Sequence, residues 1–180
     1  MTSSFDERDV EFEGDPVSYA LKIAQGKADA LKKAPSFPTE DSLLITADTI
    51  VYREGFLYHK PKDSEEAKQH LRDLSGRWHS VFSAVTVSYE DRTFSDCCET
   101  KILFSKLDEN QIESYHQVIN PYDKAGGYQI QGLGALVVQK IEGCYFNVLG
   151  LPLNTLLDLM KKTGFDLWQE LPHMGANQAL

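Results

Sequence analysis

Leu43-Leu44-Ile45-Thr46-Ala47-Asp48-Thr49-Ile50-Val51-Tyr52-Arg53-Glu54-Gly55-Phe56-Leu57-Tyr58 is the stretch on which the reading of the fold turns. Leu43 to Thr46 is a short apolar run, and Ile50 to Tyr52 and Phe56 to Tyr58 flank Arg53-Glu54-Gly55, which predicts a buried strand leading into a hairpin. Asp48 and Thr49 fall at the end of that strand, so the carboxylate is expected at a strand's carboxyl edge, where ligands often bind in α/β sheets. A capped turn is the alternative reading of the same residues. Lys60-Pro61 then places a cation just after the hairpin on backbone that the proline fixes.

Upstream, Asp15-Pro16 is a helix start, and Val17, Ala20, Leu21, Ala24, Ala28 and Leu31 recur at helical spacing. Between that helix and the strand, Ala34-Pro35-Ser36-Phe37-Pro38-Thr39 reads as an exposed connection. Downstream, Asp63 with Glu66 opens a second helix that Gly76 stops. Trp78 to Tyr89 alternates as a strand, and a partner is expected through Thr100 to Phe104 after a turn near Asp91-Arg92. Ile112, Tyr115, His116 and Ile119 mark a third helix ending before Pro121, and Leu136 to Ile141 reads as another strand. Pro152 opens a last helix with Leu153, Leu156, Leu157 and Met160, stopped by Gly164. Strands interleaved with helices argue an α/β domain.

At 180 residues with 42% hydrophobic content, the chain can bury a core as a single domain, taken as 1–180. A formal charge of −9 excludes the broad cationic surface that a nucleic acid polymer requires, so a polyanionic ligand would need local lysines or a metal. The odd set Cys97, Cys98 and Cys144 has neither zinc-site spacing nor a disulfide framework and fits a reducing compartment. No apolar run is long enough to span a membrane, and the polar, acidic N-terminus is unlike a signal peptide, so the expected location is cytoplasmic.

The densest chemistry lies in Asp123-Lys124-Ala125-Gly126-Gly127-Tyr128-Gln129-Ile130-Gln131-Gly132-Leu133-Gly134, where glycines would let backbone amides approach a phosphate or a base. A turn-rich connection is the plain alternative. The segment is neither a dinucleotide fingerprint nor a P-loop, and no zincin or nucleophile-elbow motif occurs elsewhere. His79 reads as a packed or surface histidine, and Asp96-Cys97-Cys98-Glu99, as part of a strand, points to alternate faces and receives no function.

Taken in order, Phe5-Asp6-Glu7, Ala24-x-x-Lys27-Ala28, Ala47-Asp48-Thr49-Ile50-Val51, His59-Lys60-Pro61, Leu74-Ser75-Gly76-Arg77-x-His79-x-Val81, the Asp123 to Gly132 loop and Asn147-Val148-x-Gly150-Leu151-Pro152 resemble the Maf family of nucleotide pyrophosphatases, relatives in fold of the inosine-triphosphate pyrophosphatases. The resemblance runs from about Phe5 to about Gly164. It implies a mixed elongated sheet flanked by helices, with two lobes and a cleft between them. It also implies cleavage of a nucleoside triphosphate between the α and β phosphates with Mg²⁺ or Mn²⁺. In that scheme Asp48 is the general base and a metal ligand, and Glu7 holds the metal or the attacking water. Lys27, Lys60 and Lys124 face the phosphates, while Thr49 and Gln131 discriminate the base.

Asp-Thr at the first site with Ile-Gln-Gly in the loop resembles the thymidine and uridine triphosphate type rather than the subgroup acting on 7-methylguanosine triphosphate. A homodimer is the family-level expectation. One departure stands out: the Ser-x-Ser-Pro-Arg-Arg loop and the strand before it, with which family members usually begin, do not occur, and Met1-Thr2-Ser3-Ser4 is no substitute. The central sheet is therefore expected to lack a strand and to carry unpaired backbone. Two other readings follow from that departure: a catalytically impaired nucleotide-binding regulator linked to cell division, and an oligomeric interaction protein.

Overall fold

A computed structural model describes residues 3–38 and 42–171, so Thr39 of the expected connection and the tail beyond 171 lie outside the described residues. Five strands form one sheet in the order β2-β1-β3-β4-β5, with β1 Leu44–Arg53, β2 Phe56–Tyr58, β3 Trp78–Tyr89, β4 Arg92–Phe104 and β5 Val138–Glu142. Every described pairing is antiparallel. The helices are α1 Pro16–Lys32, α2 Ser64–Leu74, α3 Glu109–Val118, α4 Tyr145–Val148, α5 Leu153–Thr163 and α6 Leu167–Glu170. The α/β class with a helix-flanked sheet is thus the observed one.

α1 begins as its sequence dictates. The Asp15 carboxylate accepts from the N–H groups of Val17 and Ser18, and Pro16 stands where no intrahelical N–H is needed. The helix lays Tyr19, Ala20, Ile23 and Ala24 on one sheet face against Ile50, Phe82 and Ala84. The opposite face is covered by α5 near Val85 and Val87, and by α2, α3 and the glycine loop around Val51, Val81, Ile102 and Phe104.

Two boundaries differ from the sequence reading. β1 does not stop at Asp48 and Thr49; it keeps register with β3 from Leu44↔Ser88 to Tyr52↔Ser80, so both residues lie in mid-strand. The polar pair is tolerated there because each side chain has a partner, Lys27 for Asp48 and Ser83 for Thr49. The turn that follows has positive φ at both Glu54 and Gly55, as a tight two-residue hairpin requires. Leu136 and Val137 belong to a 3₁₀ segment, Gly132–Val137, and the strand expected over Leu136 to Ile141 begins only at Val138.

β2 pairs with β1 only over Val51 to Arg53. Among the described residues no strand covers the outer edge of β1 from Leu44 to Ile50. That open edge faces the site.

Candidate active site

A cleft of about 980 Å³ runs along the open edge of β1. Its walls include Glu7, Lys27, Asp48, Thr49, Lys60, Asp123, Lys124 and Gln131, so all the residues to which the family resemblance gave a role in the site line one cavity. Strand alternation divides them. Asp48 shares a face with Thr46 and Ile50, toward α1, whereas Thr49 lies on the opposite face beside its register partner Ser83 on β3.

The charged end is built on Lys27. Its ammonium lies 2.7 Å from Asp48 Oδ1 and 2.7 Å from Glu7 Oε1, and 3.5 Å from the carbonyl of Ala47. α1 brings Lys27 under the strand, and Thr46 Oγ1, donating to the Ala24 carbonyl at 2.7 Å, fixes the helix against β1 at that point.

Glu7 arrives on a separate segment, a single 3₁₀ turn Glu7–Asp9. Phe5 anchors it. The Phe5 ring occupies the space above Gly26, where a Cβ would come within 2.3 Å of the ring, and Ser3 Oγ donates to the carbonyl of Lys27.

Burial pushes the Asp48 carboxyl above the usual aspartate range, and Lys27 pulls it down without fully offsetting that. Lys27 loses hydration too, but the two carboxylates outweigh the loss and hold its ammonium above the ordinary lysine value. Lys60 is exposed at the cleft rim, and its charge acts on both Asp48 and Asp123. Lys124 pairs with Asp123 at 2.6 Å, which lowers the Asp123 carboxyl. The loop carrying them is tied to the hairpin by Gly126 N–H donating to the His59 carbonyl, with Gly126 in the left-handed region and against Val51.

Thr49 belongs to a different arrangement. Its hydroxyl lies 2.8 Å from Ser83 Oγ, which donates to the Asn147 carbonyl at 2.7 Å. The Asn147 side chain accepts from Ser83 N–H and donates to the Val81 carbonyl and to Thr100 Oγ1. Ser83, Thr100 and Asn147 are each 0% exposed. Gly150, φ +101, lies against Thr49, where a Cβ would stand 3.3 Å from Oγ1. Gln131 is exposed on the cleft wall, and its carbonyl accepts from the Gln129 side chain.

The sequence reading gave no role to Tyr19, Arg8 or Asp123, which also line the cleft, or to Ser83 and Asn147 behind it. Asn147 and Asp123 stood inside quoted motifs. Nothing in the local sequence marks Ser83 or Tyr19, because their place depends on long-range register. His79, by contrast, is a core residue: 3% exposed and 2.8 Å from the Tyr128 hydroxyl.

No described helix is long and apolar enough to cross a membrane. Among the described residues no group of three or more His, Cys, Asp or Glu side chains is placed to hold a metal ion. The Glu7 and Asp48 pair nevertheless fits a hard divalent cation. Mg²⁺ is commonly held by one or two carboxylates with substrate phosphates and water completing its shell, and here two carboxylates already converge on one cation, the Lys27 ammonium.

The family profile described as "Maf-like protein" matches residues 1–163. A Clostridium perfringens (strain SM101 / Type A) protein named dTTP/UTP pyrophosphatase is 43% identical over 158 residues, covering 87% of this chain and 81% of that one. The dTTP/UTP pyrophosphatase of Clostridium tetani (strain Massachusetts / E88) is 39% identical over 170 residues, 93% of this chain and 87% of its own. The protein of Chlamydia muridarum (strain MoPn / Nigg) named nucleoside triphosphate pyrophosphatase is 36% identical over 171 residues, 95% and 86% respectively.

Proposed function

The chain belongs to the Maf family, and from that premise we propose that it hydrolyses pyrimidine nucleoside triphosphates, dTTP and UTP, to the nucleoside monophosphate and pyrophosphate. The observation that carries the reading is the convergence of Asp48, Lys27 and Glu7 in a cleft that Lys60 and Lys124 also line. A chain of net charge −9 that takes a tetra-anionic substrate needs such a local concentration of cations.

In this mechanism the triphosphate lies along Lys27, Lys60 and Lys124, whose charges balance what develops on the phosphate oxygens as the bond to the leaving pyrophosphate breaks. Ionised Asp48 orients a water and accepts its proton while the water oxygen bonds to the α-phosphorus and the Pα–O–Pβ bond breaks. Glu7 and Asp48 would hold Mg²⁺ or Mn²⁺, which when bound supplies charge neutralisation and a more acidic water. Since Lys27 bridges the same two carboxylates, its ammonium must turn toward the phosphates when they take up a cation. Thr49 and Gln131 read the base; the Gln131 amide carries both a donor and an acceptor, as the imide edge of uracil or thymine requires.

The cytosol is the compartment that suits this substrate and the free Cys97, Cys98 and Cys144. A homodimer accompanies the reading, supported by the exposed apolar side chains Leu133, Leu136 and Phe146, and light scattering of the purified protein checks it.

Hydrolysis of UTP in H₂¹⁸O tests the reaction itself. The reading requires label in UMP and none in pyrophosphate. Label in pyrophosphate, or release of orthophosphate as the first product, contradicts attack at the α-phosphorus.

A further inference from the structure

Tyr19, Ile23 and Lys27 stand at successive turns of α1, and all three line the cleft. Lys27 ends on Asp48 and Glu7. Tyr19 brings a phenolic hydroxyl to the same cleft, and among the described residues that hydroxyl has no hydrogen-bond partner. The residue is only 8% exposed. Buried hydroxyls are nearly always paired, and one that is not points to a partner that the folded chain does not itself supply.

The ring fixes where the hydroxyl stands. It packs in the cluster that holds Ile23, Ile50 and Phe82, and Phe12 meets it edge to face, with centroids 5.5 Å apart and planes at 87°. Ile50 follows Asp48 on the α1 face of β1, so the ring lies beside the strand position next to the carboxylate. The hydroxyl is close enough to Asp48 and Glu7 to feel both charges, although it bonds to neither. Burial first, and those two carboxylates after it, hold the phenol above the ordinary tyrosine range. A phenol keeps its hydrogen at neutral pH in any case, so Tyr19 presents a fixed, uncharged donor there.

The proposed reaction supplies an acceptor at this place. A water held by Asp48 must stand within bonding distance of the α-phosphorus, so of the three phosphoryl groups the α comes nearest to Asp48 and to the residues around it. Its non-bridging oxygens are strong acceptors, and Lys27 is the other donor that the α1 stripe brings to them. Resting on that reaction, we propose that Tyr19 is a further catalytic residue: its hydroxyl donates a hydrogen bond to a non-bridging oxygen of the α-phosphoryl group and holds that group in line for the water on Asp48. The proton stays on the tyrosine, and no bond is made or broken at its oxygen. A donor already fixed in place does this without the reorganisation that a solvent donor needs.

The test is Tyr19→Phe, which keeps the ring and its packing and removes the oxygen alone. With Mg²⁺ and UTP, kcat/KM is expected to fall by roughly 10- to 100-fold, the range for a hydrogen bond to a charged group, while the melting temperature does not fall. The two diastereomers of the α-thio analogue of UTP, in which one or the other non-bridging α-oxygen is sulfur, separate contact from structure. Sulfur is a weak acceptor, so the loss in Tyr19→Phe should shrink to near unity on the diastereomer whose sulfur faces Tyr19 and persist on the other. An equal loss on UTP and both diastereomers would mean that Tyr19 acts through packing alone, and it overturns the proposal, as does an unchanged kcat/KM on UTP.

Titration calorimetry of α,β-methylene UTP with Mg²⁺ reads the same contact without turnover: Tyr19→Phe should bind the analogue at least about threefold more weakly than wild type. Affinities replace rates in the same comparison for any thio diastereomer that is not turned over. A wild type that turns over no triphosphate would count against the proposed activity, and the affinity for the analogue then decides the Tyr19 contact alone, equal binding by the two proteins overturning it.

Discussion

The ring of Phe5 lies over Gly26, within 2.3 Å of where a Cβ on that glycine would stand. Glycine inside an exposed helix ordinarily costs about 1 kcal/mol relative to alanine. At this position it makes room for the residue that anchors Glu7 next to Lys27. Gly26→Ala should therefore leave α1 intact or slightly firmer while displacing Phe5, and with it the second carboxylate. The expected outcome is a several-fold higher Mg²⁺ or Mn²⁺ concentration for half-maximal turnover in a protein that keeps its helix content, read from metal titrations beside circular dichroism.

Asp48 must be ionised to act as base or ligand, and burial holds its carboxyl above the usual aspartate range. The acid limb of kcat/KM should then lie above the ordinary aspartate value of about 4. Lys27→Met removes the nearest group favouring the ionised form, so the limb should move to still higher pH. An unmoved limb in a folded Lys27→Met protein would show that another group titrates there.

How much of this was legible in the sequence depends on how local each signal is. Asp15-Pro16 and the apolar stripe behind it specify α1 by themselves, and Glu54-Gly55 specifies the hairpin. The cleft residues Glu7, Lys27, Asp48, Lys60 and Lys124 were legible only as an ordered set of motifs, since each alone is an ordinary surface charge. The extent of β1 was misjudged because Asp48 and Thr49 break the apolar run, and their partners Lys27 and Ser83 come from other elements. The contacts of Thr49 with Ser83 and of Ser83 with Asn147 join residues far apart in the chain, so no local signal announces them.

Gly150 must remain glycine for two reasons, its φ of +101 and the 3.3 Å that a Cβ would leave to Thr49 Oγ1. Gly150→Ala should raise the KM for UTP and lower the melting temperature, the backbone strain amounting to about 1–2 kcal/mol. Chemical denaturation and steady-state kinetics on the same preparation check both.

His79 is buried in the core, and burial drives its imidazole down to about 3. An unfolded histidine titrates near 6.5, at about that pH unit. The unfolded chain therefore binds a proton that the folded one refuses, so the stability associated with neutral His79 is complete above about pH 6.5 and is lost as pH falls toward 3. His79→Gln should flatten the pH dependence of unfolding free energy over that window, whatever its effect at neutral pH, as denaturant midpoints measured from pH 7 to pH 4 would reveal.

The central claim is that Asp48, held in the cleft by Lys27, hydrolyses pyrimidine triphosphates. Its most direct test is pyrophosphate release from UTP, dTTP, CTP and GTP with Mg²⁺ or Mn²⁺, wild type beside Asp48→Asn. The account predicts turnover of UTP and dTTP that falls by roughly 10²–10⁴-fold in Asp48→Asn. Equal rates in the two proteins, or a folded wild type that releases no pyrophosphate from either substrate with either metal, would contradict it.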